Sequence, residues 1–328
     1  MIFTYHTGFE SLTFLEKLAQ TLECPLHNQE IILQENIGFG RIKGYKFASS
    51  YKVLSLQVNP KEPFIIRRIA DPLQEHNISF SFFEVPTNPE NNTLTRHEQR
   101  RLSYVKITTA NIDYEVLFKN AVSQRMLVIT INPKELSLLL SEIDQEILLP
   151  QNKTYYYEED LNPAMQQVLQ EIFENNIPKE LGNLYVDMKG KELLFLVFQG
   201  LIKRDQLKTY AIHPKDIKSI YQVKERILED LSVQPSLLSL SGLAQMSETK
   251  LKRLFKQIFG FSIYDYYLKM RITEASHLIA VEGLSVSEAG YRMGFLNLSH
   301  FSRLFDRYMG IKPKKYALKT GNHVKHVS

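Results

Sequence analysis

The 328-residue chain contains a single cysteine, Cys24. One thiol excludes an internal disulfide framework and any zinc site built from several cysteines, and it fits a reducing compartment. The longest near-apolar run, LLFLVFQGLI (193–202), falls well short of the ~20 residues needed to cross a bilayer. The opening MIFTYHTGFESL has no basic stretch followed by an apolar one, so a cytoplasmic protein with no membrane contact is expected. There is no Walker-type loop and no GxGxxG; Gly38 and Gly40 together form only a turn or bulge signal. Of nine histidines, His6, His27, His76 and His97 lie in the first half without the close spacing of a metal site. Hence no catalytic residues, no metal and no cofactor are expected.

What is present is core material and an uneven charge. Hydrophobic residues make up 44%, with 17 Tyr and 19 Phe, which rules out disorder for most of the chain. The length calls for two or three units. The net charge of +4 conceals a division: residues 1–200 hold 19 Lys/Arg against 25 Asp/Glu, leaving 21 against 11 for residues 201–328. A basic C-terminal part on an acidic partner points to a polyanion as its ligand. Lys312, Lys314, Lys315, Lys319 and Lys325 supply part of that excess as a basic tail.

Along the chain the texture changes twice. Residues 12–22 have helical apolar spacing. From about 29 to 131, short runs rich in β-branched and aromatic residues follow one another: IILQENIGF, YKVLSLQV, FIIRRI, ISFSFFEV, YVKITT, YEVLFK and RMLVITI. Turn formers such as NPKEP (59–63) separate them, and no helices alternate with them. That pattern predicts an antiparallel barrel or sandwich. Phe80, Phe82 and Phe83 are expected to fill its core rather than line a pocket. Helices then start at Asn132–Pro133 and Asn162–Pro163, each an N-cap followed by proline. A third, near 180–203, is apolar on more than one side. The resulting divisions are a β domain over 1–150, a helical segment over 151–205, a linker over 206–218 and an all-helical domain over 219–320.

Within that last domain one segment occurs twice. MSETKLKRLFKQIFGFSIYDY (246–266) and GFLNLSHFSRLFDRYMGIKPKKY (294–316) share Arg-Leu-Phe, Gly and Tyr at an offset of 50 residues. In the second copy Leu298, Phe301, Phe305 and Tyr308 form one helical face; in the first, Leu251, Leu254, Phe255 and Ile258 do so. Thr249, Lys252, Arg253 and Lys256 point away in the first copy, as do Ser299, Ser302 and Arg303 in the second. A short helix precedes each, with Gly290 small enough for close crossing and Gly294 suited to a left-handed turn. Ser285 and Glu288 make a capping box. Helix, turn and a second helix with an outward Arg, Lys and hydroxyl face is the helix-turn-helix arrangement. Arginine pairs with guanine edges, hydroxyls read permissively, and lysines such as Lys312, Lys314 and Lys315 hold phosphates. Double-stranded DNA is the expected partner.

These residues resemble the AraC/XylS family of bacterial transcription regulators. MSETKLKRLFKQIFGFS, YLKMRITEASHLI and SVSEAGYRMGFLNLSHFSRLFDRYMGIKPKKY carry the likeness over about 100 residues. The resemblance implies a seven-helix domain with two helix-turn-helix units on a central helix. It implies base contacts at Thr249, Lys252 and Arg253, and at Leu298, Ser299, Ser302 and Arg303. It also implies an activator that engages RNA polymerase. Three positions depart from the family pattern. Leu298 stands where a polar residue is common, and is either core or a reader of a thymine methyl. Asp306 stands where lysine is common, and Gln245 replaces the usual turn glycine. The first half resembles, more weakly, the cupin-like sensor half of siderophore-uptake regulators, which implies an effector inside the barrel and a helical dimer contact. Two other readings stay open: a constitutive DNA-binding protein with the barrel as a dimerisation scaffold, and a ligand-modifying cupin-type enzyme with a DNA-binding tail.

Overall fold

The computed structural model describes residues 1–6, 11–47, 51–70, 77–86, 103–140, 154–174, 177–203 and 212–324. The chain divides into two compact units, Met1–Pro214 and Lys215–Ser328. Among the described residues, no helix is long and apolar enough to cross a membrane.

The N-terminal unit is built on two sheets. The larger has eight strands, β2 (Leu26–His27), β3 (Glu30–Ile32), β4 (Gly38–Lys46), β5 (Lys52–Pro60), β7 (Ile78–Glu84), β8 (Tyr104–Thr109), β10 (Gln124–Ile131) and β11 (Tyr156–Asp160). Their spatial order is β11-β8-β7-β10-β5-β4-β3-β2, and every pairing is antiparallel. The smaller sheet runs β1 (Ile2–His6), β6 (Phe64–Ile69), β9 (Tyr114–Phe118). Here β1 lies parallel to β6, the one departure from the expected antiparallel pattern among the described residues.

Strand β7 shows why the larger sheet is central. ISFSFFE is buried at Ile78, Ser79, Phe80, Ser81, Phe82 and Phe83, so both of its faces are covered. Phe80 and Phe82 join Val105, Ile107, Leu127 and Ile129 on the face that receives helices α2 (Pro133–Leu139), α3 (Pro163–Phe173) and α4 (Gly182–Lys203). Phe80 meets Phe198 of α4 edge-on at 5.7 Å. Phe83 is on the other face, with Leu56, Val58 and Met126, against the smaller sheet and α1 (Ser11–Thr21). These phenylalanines are core. The two proline-led helices begin as the sequence predicts: Asn132 accepts from the Lys134 amide at 2.8 Å, and Asn162 accepts from the Met165 amide at 2.9 Å.

Two observations refine the organisation. Residues 156–160, inside the span expected as helical, form β11 and pair with β8. Helices α3 and α4 bury Val168, Leu169, Leu193 and Val197 against the large sheet, so they belong to the N-terminal unit. Helix α5 (Pro214–Glu229) already begins within the span expected as linker; residues 206–211 of that span lie outside the described residues.

The C-terminal unit holds seven helices and no strand among the described residues: α5, α6 (Leu237–Ala244), α7 (Glu248–Phe259), α8 (Ile263–Ala280), α9 (Val286–Arg292), α10 (Leu298–Met309) and α11 (Pro313–Val324). Helix α8 is the structural axis. Its buried residues, among them Tyr266, Tyr267, Leu268, Ile272, Ala275 and Ile279, leave little free surface, because elements pack on it from several sides.

Candidate nucleic-acid interface

The first helix-turn-helix unit is α6, a short turn, and α7. Helix α6 is capped by Ser236, which accepts from the Ser239 amide at 3.4 Å. It ends at Gln245 in the left-handed conformation, φ 52° and ψ 42°. Ser247 then caps α7 through the Lys250 amide, and Gly260 closes it at φ 75°. Leu251, Leu254, Phe255 and Ile258 are buried on one side, while Thr249, Lys252, Arg253 and Lys256 are exposed. Lys250 is drawn the other way, to Asp216 of α5 at 2.8 Å. Lys252 has Glu248 one turn back at 3.6 Å, a solvent-exposed pair of small energetic weight.

Gln245 has a testable cost. A residue with a Cβ in the left-handed region is strained by roughly 1 kcal/mol, which glycine avoids. Gln245→Gly is therefore expected to stabilise the C-terminal unit by at most about 0.5 kcal/mol after the greater freedom of the unfolded chain is deducted. Urea unfolding followed by circular dichroism measures it, and a destabilised variant would refute the strain account.

The second unit is α9, a tight turn, and α10. Ser285 and Glu288 cap α9 reciprocally, at 3.2 and 2.8 Å. Gly290 is the crossing point: a Cβ there would stand 2.9 Å from Leu298 Cδ2 and 3.2 Å from Phe301 Cδ1. Gly294 takes the turn at φ +73°, and a Cβ there would overlap the Ser232 carbonyl oxygen. Asn297 caps α10 by accepting from the Ser299 and His300 amides at 2.9 and 3.1 Å. Phe301, Leu304 and Phe305 are buried; Ser299, Arg303 and Asp306 are exposed, and Ser302 is half-buried. Tyr308 is half-buried, with its hydroxyl 3.4 Å from the Asp265 carbonyl. Leu298 is half-buried against Gly290, which places it with the anchoring face.

One buried charge ties the second turn to the central helix. Arg271 of α8 donates Nε to the Met293 carbonyl at 2.9 Å, with Nη2 on the same oxygen. Its guanidinium lies 3.9 Å from the Phe295 ring centroid and 5.0 Å from that of Tyr267. Burial draws its pKa below the usual arginine value. The expected site did not include Arg271. Its one signal was a charge set in the mostly apolar stretch YYLKMRITEASHLIA.

The comparisons with known proteins coincide with this geometry. Residues 240–319 match the family model described as a helix-turn-helix domain. The HTH-type transcriptional activator RhaS of Salmonella schwarzengrund (strain CVM19633) is 29% identical over 178 residues, covering 53% of this chain and 62% of that protein. The C-terminal unit carries a helix-turn-helix domain. The activator RhaR of Cronobacter sakazakii (strain ATCC BAA-894) is 34% identical over 77 residues, 24% of this chain and 27% of its own. The chain thus spans less than two-thirds of the length of these relatives. Among solved structures, the DNA-binding domain of AdpA in complex with a target DNA matches at 26% identity, 31% of this chain and 91% of that one, with a TM-score of 0.29. ToxT from Vibrio cholerae O395 matches at 15% identity over 83% of this chain and 98% of that one, with a TM-score of 0.31.

Lys312, Lys314 and Lys315 are exposed around the start of α11. The interior of the N-terminal unit is unusual in a different way. Cross-strand rows Tyr5–Arg68–Tyr114 and Ser81–Lys106–Glu158 belong to its two sheets. Arg68, Lys106, Glu158, Ser79, Ser81 and Thr108 are all buried. Arg68 donates to the Ile112 and Thr109 carbonyls, to Thr108 Oγ1 and to Ser79 Oγ, at 3.1 to 3.4 Å. Lys106 Nζ lies 4.9 Å from the Tyr114 ring, 5.0 Å from that of Tyr104, and 3.9 Å from Glu158 Oε2. The Tyr114 hydroxyl is buried without a hydrogen-bond partner. Burial pushes the pKa values of Tyr104 and Tyr114 well above the ordinary phenol value, so both stay neutral. Among the described residues, no group of three or more His, Cys, Asp and Glu side chains converges as for a metal ion; His76 and His97 lie outside them.

Proposed function

We propose that the chain is a sequence-specific DNA-binding transcription regulator whose two reading helices are α7 and α10. The observation that carries this is the pairing of two helix-turn-helix units with outward Thr249, Lys252, Arg253 and Lys256 on one and Ser299, Ser302 and Arg303 on the other. Both are seated on α8, whose 18 residues span about 27 Å at ~1.5 Å each. That length approaches the ~34 Å between successive major-groove faces, so one polypeptide reads two consecutive segments. Lys312, Lys314 and Lys315 hold phosphates beside them. Arg303→Ala is expected to relax base preference at one operator position, by roughly 1–3 kcal/mol. Lys314→Ala should instead weaken all sequences alike and flatten the salt dependence. Binding titrations on duplexes selected from a random pool measure both. An equal loss on every sequence for Arg303→Ala would remove its base-reading role.

The named relatives are activators, and we carry activation, with RNA polymerase as the partner it requires, over to this chain. We assign it no catalysis and a cytoplasmic location. Control by a small-molecule effector is supported by the polar interior around Arg68, Lys106 and Glu158, since a mere scaffold is more stable with an apolar core. A homodimer contact is supported by α4 and the turn before it. Leu181, Leu184, Met188, Phe195 and Ile202 are 52–62% exposed and recur at the intervals of a heptad stripe. Native mass spectrometry of the full chain tests both ideas at once. The expected species is a dimer with a releasable small molecule, and Met188→Glu with Phe195→Glu is expected to yield monomer. A dimer free of any small molecule would favour the constitutive reading, and an unaltered dimer in the double variant would remove α4 from the contact.

A further inference from the structure

Leu296 is 98% exposed, the most exposed of the large apolar side chains among the described residues. It sits immediately before Asn297, the N-cap of α10. A hydrophobic residue in that place ordinarily packs on the fourth residue of the helix, which here is Phe301. Phe295 does this instead: it is buried, and its ring lies 5.1 Å from Phe301 and 6.2 Å from His300. The equivalent residue of the first unit, Met246, is half-buried. Folding therefore makes little use of Leu296, which stands in water beside exposed Asn297, Ser299 and His300.

We propose that Leu296 is a specificity-determining residue that contacts a thymine C5-methyl group in the major groove. The proposal rests on α10 being a reading helix. The N-terminal end of such a helix approaches base edges. A leucine offers no hydrogen bond to a phosphate or a base, and the apolar feature displayed in the major groove is the thymine methyl. Its place next to Ser299 makes it continuous with the reading face. Leu298, the other candidate for that contact, is committed to Gly290.

The test uses the full chain and duplexes it selects from a random pool, with each thymine replaced in turn by deoxyuridine. At one position of the half-site read by α10, loss of the methyl is expected to weaken binding about 3- to 10-fold. Leu296→Ala, which alters only an exposed side chain, is expected to bind both forms equally. If the wild-type chain ignores every replacement, or Leu296→Ala stays as sensitive as wild type, the assignment is overturned while DNA reading stands. Failure to select any sequence would overturn base reading by α10 and this assignment with it.

Discussion

Replacing Gly294 by alanine is expected to unseat the second helix-turn-helix unit and lower the stability of the C-terminal unit by about 2–4 kcal/mol. Two independent penalties combine. The left-handed φ of +73° disfavours any residue with a Cβ, and that Cβ would run into the Ser232 carbonyl, backbone that is slow to yield. Gly290→Ala is the informative comparison. Its added methyl would meet the ends of Leu298 and Phe301, and Leu298 Cδ2 is the far end of a flexible side chain, so a smaller loss of about 1–2 kcal/mol is expected. Differential scanning calorimetry of the full chain measures both. Equal effects would show that the Ser232 contact has no weight.

Arg271→Met should cost a similar amount, about 2–4 kcal/mol, by another route. The substitution keeps much of the volume but removes the donors from the Met293 carbonyl and the cation from the Phe295 face. Losing a partner from a buried acceptor is worth ~1–3 kcal/mol, and a desolvated cation–π contact up to about 2 kcal/mol. Arg271→Lys keeps the charge without the fork and is expected to fall between. Under the proposed reading of DNA by α7 and α10 the functional signature is selective: sequence preference at the half-site assigned to α10 should degrade, while that assigned to α7, seated through Lys250 and Asp216, should hold. Uniform loss at both half-sites would mean that Arg271 supports the whole unit rather than one turn.

Much of this was legible in the residues, for local reasons. Asn132, Asn162 and the Ser285–Glu288 box act within four positions of themselves, so their chemistry is visible in the string. The division of α7 and α10 into buried and exposed faces follows from helical periodicity alone. What could not be read depends on partners far along the chain. Tyr156–Asp160 looks as helical as extended until Lys106 and Thr108 of β8 are set beside it. The parallel pairing of β1 has no local signal, because its partner begins about sixty residues later. Arg271 finds its role through a carbonyl 22 positions away. Leu296 was hidden for a subtler reason: it sits where a staple belongs, and only the packing of Phe295 shows that the place is already filled.

The pairing of β1 with β6 also bears on the order of events at the ribosome. Strand β1 finds its partner only at Phe64–Ile69, and β9 completes that sheet at Tyr114–Phe118. Chain ends so distant close slowly, and the exposed edges they leave invite association with other chains. The helical unit behind them has no strand to pair among the described residues and is expected to fold soon after it emerges. The nascent N-terminal segment is thus the part most in need of a chaperone, and low growth temperature should raise the soluble yield of the full chain more than that of residues 212–324 expressed alone.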